Sequence, residues 1–258
     1  MVYADEVAQA NARHWDRMVK ENCGYTIPWL DLTPDLIRRI ATGEETSSLG
    51  LRTVCSFASR IDVEDKDVLC IGSGGGQQSA VFGLLGARVV VVDFCEGQIA
   101  GDRKAAAYYG YDVTTVHADM RDLSSLADEC FHIVYGTALV YVPDVRVVYR
   151  QVARVLRRGG LYRTDFHQPA IHAVDWDGGG YRITKAYSDR TNTRNDGAIE
   201  FRHYLDDIFN RLLEAGLTIL RIDDLSRMME PPSEAVPGSW AHQEPYVGGL
   251  FAVESRKG

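Results

Sequence analysis

The segment VLCIGSGGG, residues 68–76, decides the fold. It begins with an uninterrupted apolar run, which is typical of a strand buried on both faces of a sheet. Gly72, Gly74 and Gly76 then allow a sharp turn and a close approach of the backbone to a ligand, because a Cβ atom there would collide with it. The run from Ala80 predicts a helix, whose first N–H groups can face a polar or anionic group. The segment therefore predicts a strand, a glycine loop and a helix that form a ligand site.

Similar apolar runs alternate with helical patterns along the rest of the chain. Further strands are predicted over residues 87–92, 113–116, 131–135, 161–166, 217–222 and 250–253. Helices are predicted over residues 1–20, from Pro34 after a Thr33 cap, over residues 51–59 and 99–109, from an Asp144 cap to a close at Arg157–Gly160, and over residues 205–215. Apolar strands that alternate with helices predict an α/β fold with a parallel sheet covered on both faces.

Two parts of the chain depart from this alternation. Residues 1–60 have no strand pattern and are predicted as an N-terminal helical cap or lid, in which Trp15 contacts the ligand. Residues 61–258 then form the α/β domain. Within that domain the pattern lapses over residues 169–200, which are predicted as an insertion with a loop or hairpin at residues 175–181.

Several residues that follow the predicted strands are suited to bind a nucleoside. Ligands of parallel sheets bind beyond the carboxyl ends of the strands, so these residues are expected to converge. Asp93 ends the second strand and can accept hydrogen bonds from two ribose hydroxyls. Asp119 ends the third strand and can accept from an exocyclic amine, while Met120 can pack on a purine. Gly136 and His167 follow the fourth and fifth strands.

Two kinds of nucleoside cofactor compete for this site. A nicotinamide enzyme requires G-x-G-x-x-G, but the third position counted from Gly72 is Gln77. A frame shifted to Gly74, Gly76 and Ser79 matches only loosely. An adenosine compound without phosphates explains all three strand ends together. A nicotinamide-dependent dehydrogenase is kept as a less favoured alternative.

Longer stretches carry a family resemblance. With VVVVDF (89–94), HADM (117–120), FHIVYGTALVYVPD (131–144) and VARVLRRGGLYRTDFH (152–167), the sequence resembles the class I S-adenosylmethionine-dependent methyltransferases over roughly residues 60–170. The resemblance implies a Rossmann-like, seven-stranded, mostly parallel sheet with an antiparallel last strand. It implies S-adenosylmethionine as cofactor and S-adenosylhomocysteine as product. Together with the strand ends, it gives these cofactor-binding residues: Trp15, Gly72, Ser73, Gly74, Gly76, Gln77, Asp93, Phe94, Asp119, Met120, Gly136 and Thr137. The candidate catalytic residues are His167 and Tyr141.

Two residues depart from the pattern of that family. Cys70 stands where such enzymes usually have an acid just before the glycines, and His132 stands where they often have Asp in the fourth strand. Loss of the acid is expected to weaken the hydrogen bonds that hold the glycine loop around the methionyl end of the cofactor. The departures leave open a methyltransferase-like binding protein without turnover.

The composition argues against several other classes. The 258 residues include 28 Lys and Arg against 36 Asp and Glu, and a net charge of −8 argues against a nucleic-acid binder. The apolar runs are too short to span a membrane, and the first residues lack the basic and apolar regions of a secretory signal. The five cysteines form no C-x-x-C pair, and no two histidines have the spacing of a helical metal site. Reduced thiols, no metal site and a cytoplasmic location are therefore predicted.

The sequence predicts an enzyme that transfers a methyl group from S-adenosylmethionine to an N or O nucleophile of a small molecule. Residues 175–204 are similar to bacterial small-molecule methyltransferases. Trp15 is the first candidate for contact with the sulfonium, and Tyr3 and Tyr25 are further candidates. A monomer or homodimer with no nucleic-acid or membrane partner is expected. A methyltransferase that acts on a macromolecule is the alternative with the same chemistry.

Overall fold

A seven-stranded sheet forms the centre of the protein. The computed structural model describes residues 5–194, 196–228 and 235–258, with only the backbone at residues 227 and 228; Tyr3, one of the predicted sulfonium contacts, lies outside this part. The strands are β1 (Asp67–Ile71), β2 (Arg88–Asp93), β3 (Val113–His117), β4 (Phe131–Gly136), β5 (Leu156–His167), β6 (Val174–Trp176), β7 (Tyr181–Ile183), β8 (Thr191–Thr193), β9 (Ile199–Phe201), β10 (Leu217–Asp224) and β11 (Leu250–Lys257). The central sheet has the order β10-β11-β5-β4-β1-β2-β3, and β11 is antiparallel to both of its neighbours. This confirms the predicted mostly parallel sheet with an antiparallel last strand.

Helices cover both faces of the sheet. They are α1 (Glu6–Lys20), α2 (Pro34–Thr42), α3 (Leu49–Arg60), α4 (Gln78–Leu84), α5 (Glu96–Tyr109), α6 (Val145–Val155), α7 (Leu205–Glu214) and α8 (Trp240–Val247). The sequence signals for helix starts are used as predicted: the Thr33 side chain accepts from the Leu36 N–H, and the Asp144 side chain accepts from the Arg146 N–H. None of the helices described combines the length and the apolar character needed to cross a bilayer.

Two apolar cores lie on opposite faces of the sheet, because successive residues of a strand point to opposite sides. Leu69 and Ile71 of β1 pack into the core that α6 and α7 cover. Val68 and Cys70 pack into the other core, with side chains from α2, α3 and α4. Since α2 and α3 belong to this core, the predicted cap of residues 1–60 is too wide. Among the α-helices described within residues 5–60, only α1 contributes no side chain to either core, and the lid hypothesis is confined to it.

The helix that begins at Asp144 does not close at Arg157–Gly160 as predicted. It ends at Val155, and β5 begins at once. The register between β4 and β5 jumps from Phe131 opposite Leu156 to Ile133 opposite Leu161, so the Arg-Arg-Gly-Gly stretch forms a bulge inside the strand. The glycines serve this bulge and not a helix end: Gly159 has φ of +77°, and a Cβ at Gly160 would lie 3.0 Å from the His132 carbonyl oxygen.

Two small hairpins and a helix stand outside the central sheet. Strands β6 and β7 pair around the turn at residues 177–180, and β8 pairs with β9. Helix α8 was not predicted, because it contains Pro245 and follows a Pro-Gly pair. The Tyr181 hydroxyl and His242 Nδ1, 2.6 Å apart, join the first hairpin to α8. These elements form a layer above the carboxyl end of β5.

Candidate active site

A cavity of about 200 Å³, here called the inner cavity, lies where β1, β2 and β4 end. The predicted site residues that line it are Trp15, Gly72, Gly74, Gln77, Asp93, Phe94, Met120, Thr137 and Tyr141. They come from α1, from the glycine loop after β1 and from the carboxyl ends of β2, β3 and β4 or the segments just beyond them. The structure therefore brings together most of the residues that sequence reasoning singled out.

Four of the predicted cofactor-binding residues do not line this cavity. Ser73 and Gly76 face α5, where the Ser73 hydroxyl and the Gly76 N–H both donate to the carboxylate of Asp102. Gly136 faces Ile71, since a Cβ there would lie 3.4 Å from Ile71 Cγ1. Asp119 is bound to a neighbouring arginine. The first three residues shape the loop and the strand end behind the cavity.

A buried carboxylate holds the glycine loop from behind. Asp102 of α5 accepts from the Ser79 hydroxyl as well as from Ser73 and Gly76, and burial raises its pKa to about 6. Cys70, in the position where the family usually has an acid, is fully buried in the apolar core. The loss of the acid at position 70 was expected to weaken the hydrogen bonds that hold the glycine loop. Asp102 of α5 supplies part of these hydrogen bonds. Sequence reasoning missed Asp102, whose only signal is an acid on the buried side of a helix.

The glycines of the loop also permit close packing of the protein on itself. A Cβ at Gly75 would lie 2.5 Å from the amide oxygen of Gln98 and 3.0 Å from the carbonyl oxygen of Thr26. A Cβ at Gly76 would lie 2.6 Å from the carbonyl oxygen of Gly101. Both glycines have positive φ, +66° and +91°. The sequence argument assigned the need for glycine at position 76 to the ligand, whereas the close approach of the Gly101 carbonyl oxygen already requires it there.

Asp93 lies at the end of β2 and lines the inner cavity. Its Oδ1 accepts from the Cys95 N–H at 2.9 Å, and burial raises the pKa of the carboxyl to about 7. Asp119, at the end of β3, is instead clamped by Arg121, which also pairs with Asp5 just before α1. The two strand-end acids thus differ: one faces the cavity, and the other anchors the start of α1.

Sequence reasoning missed several residues that line the inner cavity. They are Trp29, Gly50, Thr53, Val54, Gln78, Gln98, Tyr135, Ala138 and Asp165. The amide oxygens of Gln78 and Gln98 are buried and have no hydrogen-bond partner within the described residues. Gln78 donates to the Gly72 carbonyl and to the Thr137 hydroxyl, both at 3.0 Å, which fixes its orientation. Two unused acceptors therefore lie next to the glycine loop.

A larger cavity of about 620 Å³, here called the outer cavity, adjoins the inner one. The two cavities share Trp15, Tyr25, Thr137, Ala138, Tyr141 and Asp165. Beyond this boundary, the outer cavity is lined by polar residues of β5, the hairpins and α8, namely His167, His172, Asp175, Lys185, Asn192, Arg194, Glu200 and Gln243. His167 is the one residue of this second set that the sequence predicted. Two connected cavities are the arrangement that a two-substrate reaction needs.

Buried polar groups surround the outer cavity. Asp165 pairs with Arg163 at 2.7 Å, and Arg163 donates to the Tyr135 hydroxyl at 2.9 Å. His167 Nδ1 and His172 Nε2 are 2.8 Å apart and share a hydrogen bond. Burial lowers the pKa of His167 to about 3, so its ring is neutral at neutral pH. Burial raises the pKa of Tyr141, so its hydroxyl stays protonated.

Helix α1 is held in place by contacts with residues around both cavities. Its Asn11 side chain donates to the Ile199 carbonyl at 3.0 Å and accepts from the Ile199 N–H at 2.8 Å, which joins α1 to β9. The Trp15 ring stands edge-on to Tyr141, with ring centroids 5.8 Å apart. Gln77 of the glycine loop donates to the carbonyl oxygens of Gly24 and Ile27, just after this helix. Residues 5–27 thus cover the boundary between the cavities.

Comparisons with known proteins agree with this architecture. Residues 69–164 match the Methyltransf_11 family, described as a methyltransferase domain. The chain is 34% identical over 167 residues to the uncharacterized methyltransferase YbaJ of Bacillus subtilis, which covers 59% of this chain and 66% of that relative. The chain thus spans about two thirds of the length of this curated relative.

Solved structures share the fold. An S-adenosylmethionine-dependent methyltransferase from Mesorhizobium loti has a TM-score of 0.66 at 21% identity, covering 82% of this chain and 99% of that one. The 1,6-didemethyltoxoflavin-N1-methyltransferase of Burkholderia thailandensis, with bound 1,6-didemethyltoxoflavin and S-adenosylhomocysteine, has a TM-score of 0.61 at 16% identity, covering 98% and 89%.

The strand order and the cavity at the strand ends define a Rossmann-like α/β protein of the doubly wound kind. With the family match, the chain belongs to the class I S-adenosylmethionine-dependent methyltransferases, and S-adenosylmethionine is its cofactor. The predicted family, fold and cofactor are confirmed, and the nicotinamide alternative is set aside.

Proposed function

We propose that this enzyme transfers a methyl group to an N or O nucleophile of a small molecule, with the cofactor in the inner cavity and the acceptor in the outer one. One observation carries the proposal: the two cavities adjoin and share Trp15, Tyr141 and Asp165. The cofactor supplies a methyl group on a sulfonium, which already has a good leaving group. The protein therefore has mainly to align the acceptor and to exclude water.

The chemistry of the inner cavity fits the cofactor. Asp93 accepts from ribose hydroxyls in this proposal, and Met120 packs on the purine. The unused oxygens of Gln78 and Gln98 are hydrogen-bond acceptors that suit the ammonium of the methionyl end. Asp119, which is bound by Arg121 and lies off the cavity, takes no direct part. Ser73, Gly76 and Gly136 act by shaping the loop and strand end.

The residues at the boundary position the acceptor. Trp15 offers an aromatic face near the sulfonium, as the sequence predicted, and Tyr25 is on the same boundary. Tyr141 stays protonated and donates a hydrogen bond to the acceptor. His167 contacts the acceptor from the far side. With a pKa of about 3, His167 is a poor proton acceptor at neutral pH, so we do not assign it the role of general base.

A small-molecule acceptor is favoured over a macromolecule. The outer cavity lies under α1, the hairpins and α8, and a volume of about 620 Å³ suits a compact organic molecule. The structural neighbour from Burkholderia thailandensis, whose name states a small-molecule substrate, supports the same class. The five free thiols support a cytoplasmic location, and a monomer or homodimer is expected.

Calorimetry and a turnover screen test this function. The purified chain should bind S-adenosylmethionine and S-adenosylhomocysteine and should not bind NAD. Release of S-adenosylhomocysteine should then be measured against a panel of small amines, phenols and carboxylic acids. Binding without release on the panel, but with release on cell RNA or protein, would favour a macromolecular acceptor. Binding without release on any of them would favour a binding protein without turnover.

A further inference from the structure

The outer cavity brings together three side chains that are typical metal ligands. One ring nitrogen of His167, one of His172 and one carboxylate oxygen of Glu200 all lie within 4.8 Å of one another. His167 ends β5, His172 is in the turn Ile171–Ala173, and Glu200 is in the middle of β9. We propose that these three residues bind a divalent ion of the zinc class. The sequence predicted no metal site, because only the fold places the hairpin carboxylate beside the two rings.

The two imidazoles need little movement to bind one ion. His167 Nδ1 and His172 Nε2 are 2.8 Å apart as a hydrogen-bonded pair. Two nitrogens that bind the same tetrahedral zinc ion stand about 3.3 Å apart, so a separation by about half an ångström suffices. Imidazoles bind metal ions as neutral rings, and a hydrogen bond between two ring nitrogens requires that the accepting ring be neutral. The proton that they share moves to an outward-facing ring nitrogen, so binding changes the tautomer and not the charge of the pair.

Glu200 is held in place by neighbours and still has lone pairs that can bind a cation. It is 3% exposed, and it accepts from Arg194 at 3.0 Å on Oε1 and from Asn192 at 3.3 Å on Oε2. Each carboxylate oxygen has two lone pairs, so either oxygen can also bind an ion. Arg194 and the nearby Lys185 are positively charged and lower the affinity for a cation. We therefore expect weaker binding than at a structural zinc site.

Helix α8 orients the histidine ligands from outside. The Trp240 ring packs on His167 with centroids 4.8 Å apart. Gln243 donates to the carbonyl oxygens of Ile171 and Val174 at 2.7 and 3.1 Å, which fixes the turn that carries His172. Such outer contacts orient metal ligands in proteins. They give the unpredicted helix a role in the site.

The position of the ion suggests what it does, and this step rests on the proposed function. Two histidines and one carboxylate leave a coordination position open toward the cavity, as in catalytic zinc sites. An acceptor hydroxyl or carboxylate oxygen can occupy this position. Metal binding lowers the pKa of a bound hydroxyl, whose proton passes to water. The ion would thus activate a hydroxyl acceptor without a general base from the protein.

Zinc binding to the purified, chelator-treated protein tests the proposal directly. Calorimetry should show one Zn²⁺ bound per chain, and Co²⁺ in its place should give an absorption spectrum typical of nitrogen and oxygen ligands. His172→Gln and Glu200→Gln should each weaken Zn²⁺ binding by at least about 100-fold. The matched control is His132→Gln, since His132 lies at the opposite end of the sheet, near Asp67 and Arg157.

S-adenosylhomocysteine affinity verifies that each variant is folded, and His172→Asn replaces His172→Gln if that variant fails this test. A wild-type chain that binds no Zn²⁺, or variants that bind it as wild type does, would overturn the metal site. Neither result bears on the methyl transfer, which the cofactor titration and the turnover screen test separately. Conversely, a protein without turnover that still binds Zn²⁺ through these residues would sustain the metal site alone.

Discussion

The inner and the outer cavity are neighbours, yet they are built in different ways. The inner cavity is formed largely by residues that end or directly follow strands of the central sheet, such as Gly72, Asp93 and Thr137. The outer cavity is formed where β5 meets two short hairpins and α8, which pair outside that sheet. The first depends on local sequence and on a general rule of parallel sheets. The second depends on contacts between segments that are far apart in the chain.

Two glycine substitutions in the loop should have the largest effect. They compare a glycine that packs against α5, Gly76, with one that lines the inner cavity, Gly74. Gly76→Ala places a Cβ 2.6 Å from a backbone oxygen at φ of +91°, and should lower the free energy of unfolding by roughly 3 kcal/mol or more. Gly74→Ala also has a positive φ, +72°, but its Cβ would lie no closer than 3.1 Å to its nearest neighbour, the Gln77 side chain, so its effect should be smaller. Thermal denaturation of both variants measures the difference. Equal losses would mean that packing against α5 is not what requires Gly76.

Asp93→Ala should have the next largest effect, on the cofactor. Loss of charge-assisted hydrogen bonds to two hydroxyls should weaken S-adenosylhomocysteine binding by roughly 2–4 kcal/mol, measured by calorimetry. Asp119→Ala is the matched control, because its carboxylate is clamped by Arg121 and lies off the cavity. It should reduce thermal stability and leave the affinity nearly unchanged. A larger loss of affinity in Asp119→Ala would show that the two strand-end acids have been assigned in the wrong order.

The raised pKa of Asp93 predicts how cofactor binding depends on pH. At a pH below its pKa of about 7, the Asp93 carboxyl of the free protein is mainly protonated. Hydroxyl groups that donate hydrogen bonds to Asp93 favour its ionised form. Affinity should therefore fall as the pH falls, and S-adenosylhomocysteine should bind at least about tenfold more weakly at pH 5.5 than at pH 7.5. Asp93→Asn should lose most of this dependence. Asp102, whose pKa is about 6, is present in both proteins, so their difference isolates Asp93.

These cases also show how far the sequence could be read. The parallel strands and about half of the residues that line the inner cavity were predicted from local signals: an apolar run, a glycine turn, an acid at a strand end. The antiparallel last strand was predicted from the family resemblance alone. The bulge at residues 157–160 was mistaken for a helix end, since glycines mark both. Helix α8 was not predicted, because Pro245 lies inside it. His172 and Glu200 carry no local signal, because three-dimensional pairing alone brings them beside His167.

The smallest effect is expected at the contact between α1 and β9, beside the boundary of the two cavities. Asn11 makes two hydrogen bonds to Ile199 and so joins α1 to the hairpin that carries Glu200. Asn11→Ala should lower the free energy of unfolding by about 1–2 kcal/mol, while S-adenosylhomocysteine affinity changes by less than about threefold. Gln9→Ala, on the exposed side of the same helix, is the control and should change neither quantity.

Hydrogen exchange shows where the Asn11→Ala effect falls. If the outer cavity is held together by such long-range contacts, amides of α1 and β9 should exchange faster, above all the Ile199 N–H, which loses its acceptor. Amides of β1, β2 and β4 should keep their protection, because regular strand pairing holds them. Faster exchange throughout the sheet would mean that α1 supports the whole fold. Unchanged exchange in β9 would mean that the hairpin is held without α1, and that helix would then cover the inner cavity alone.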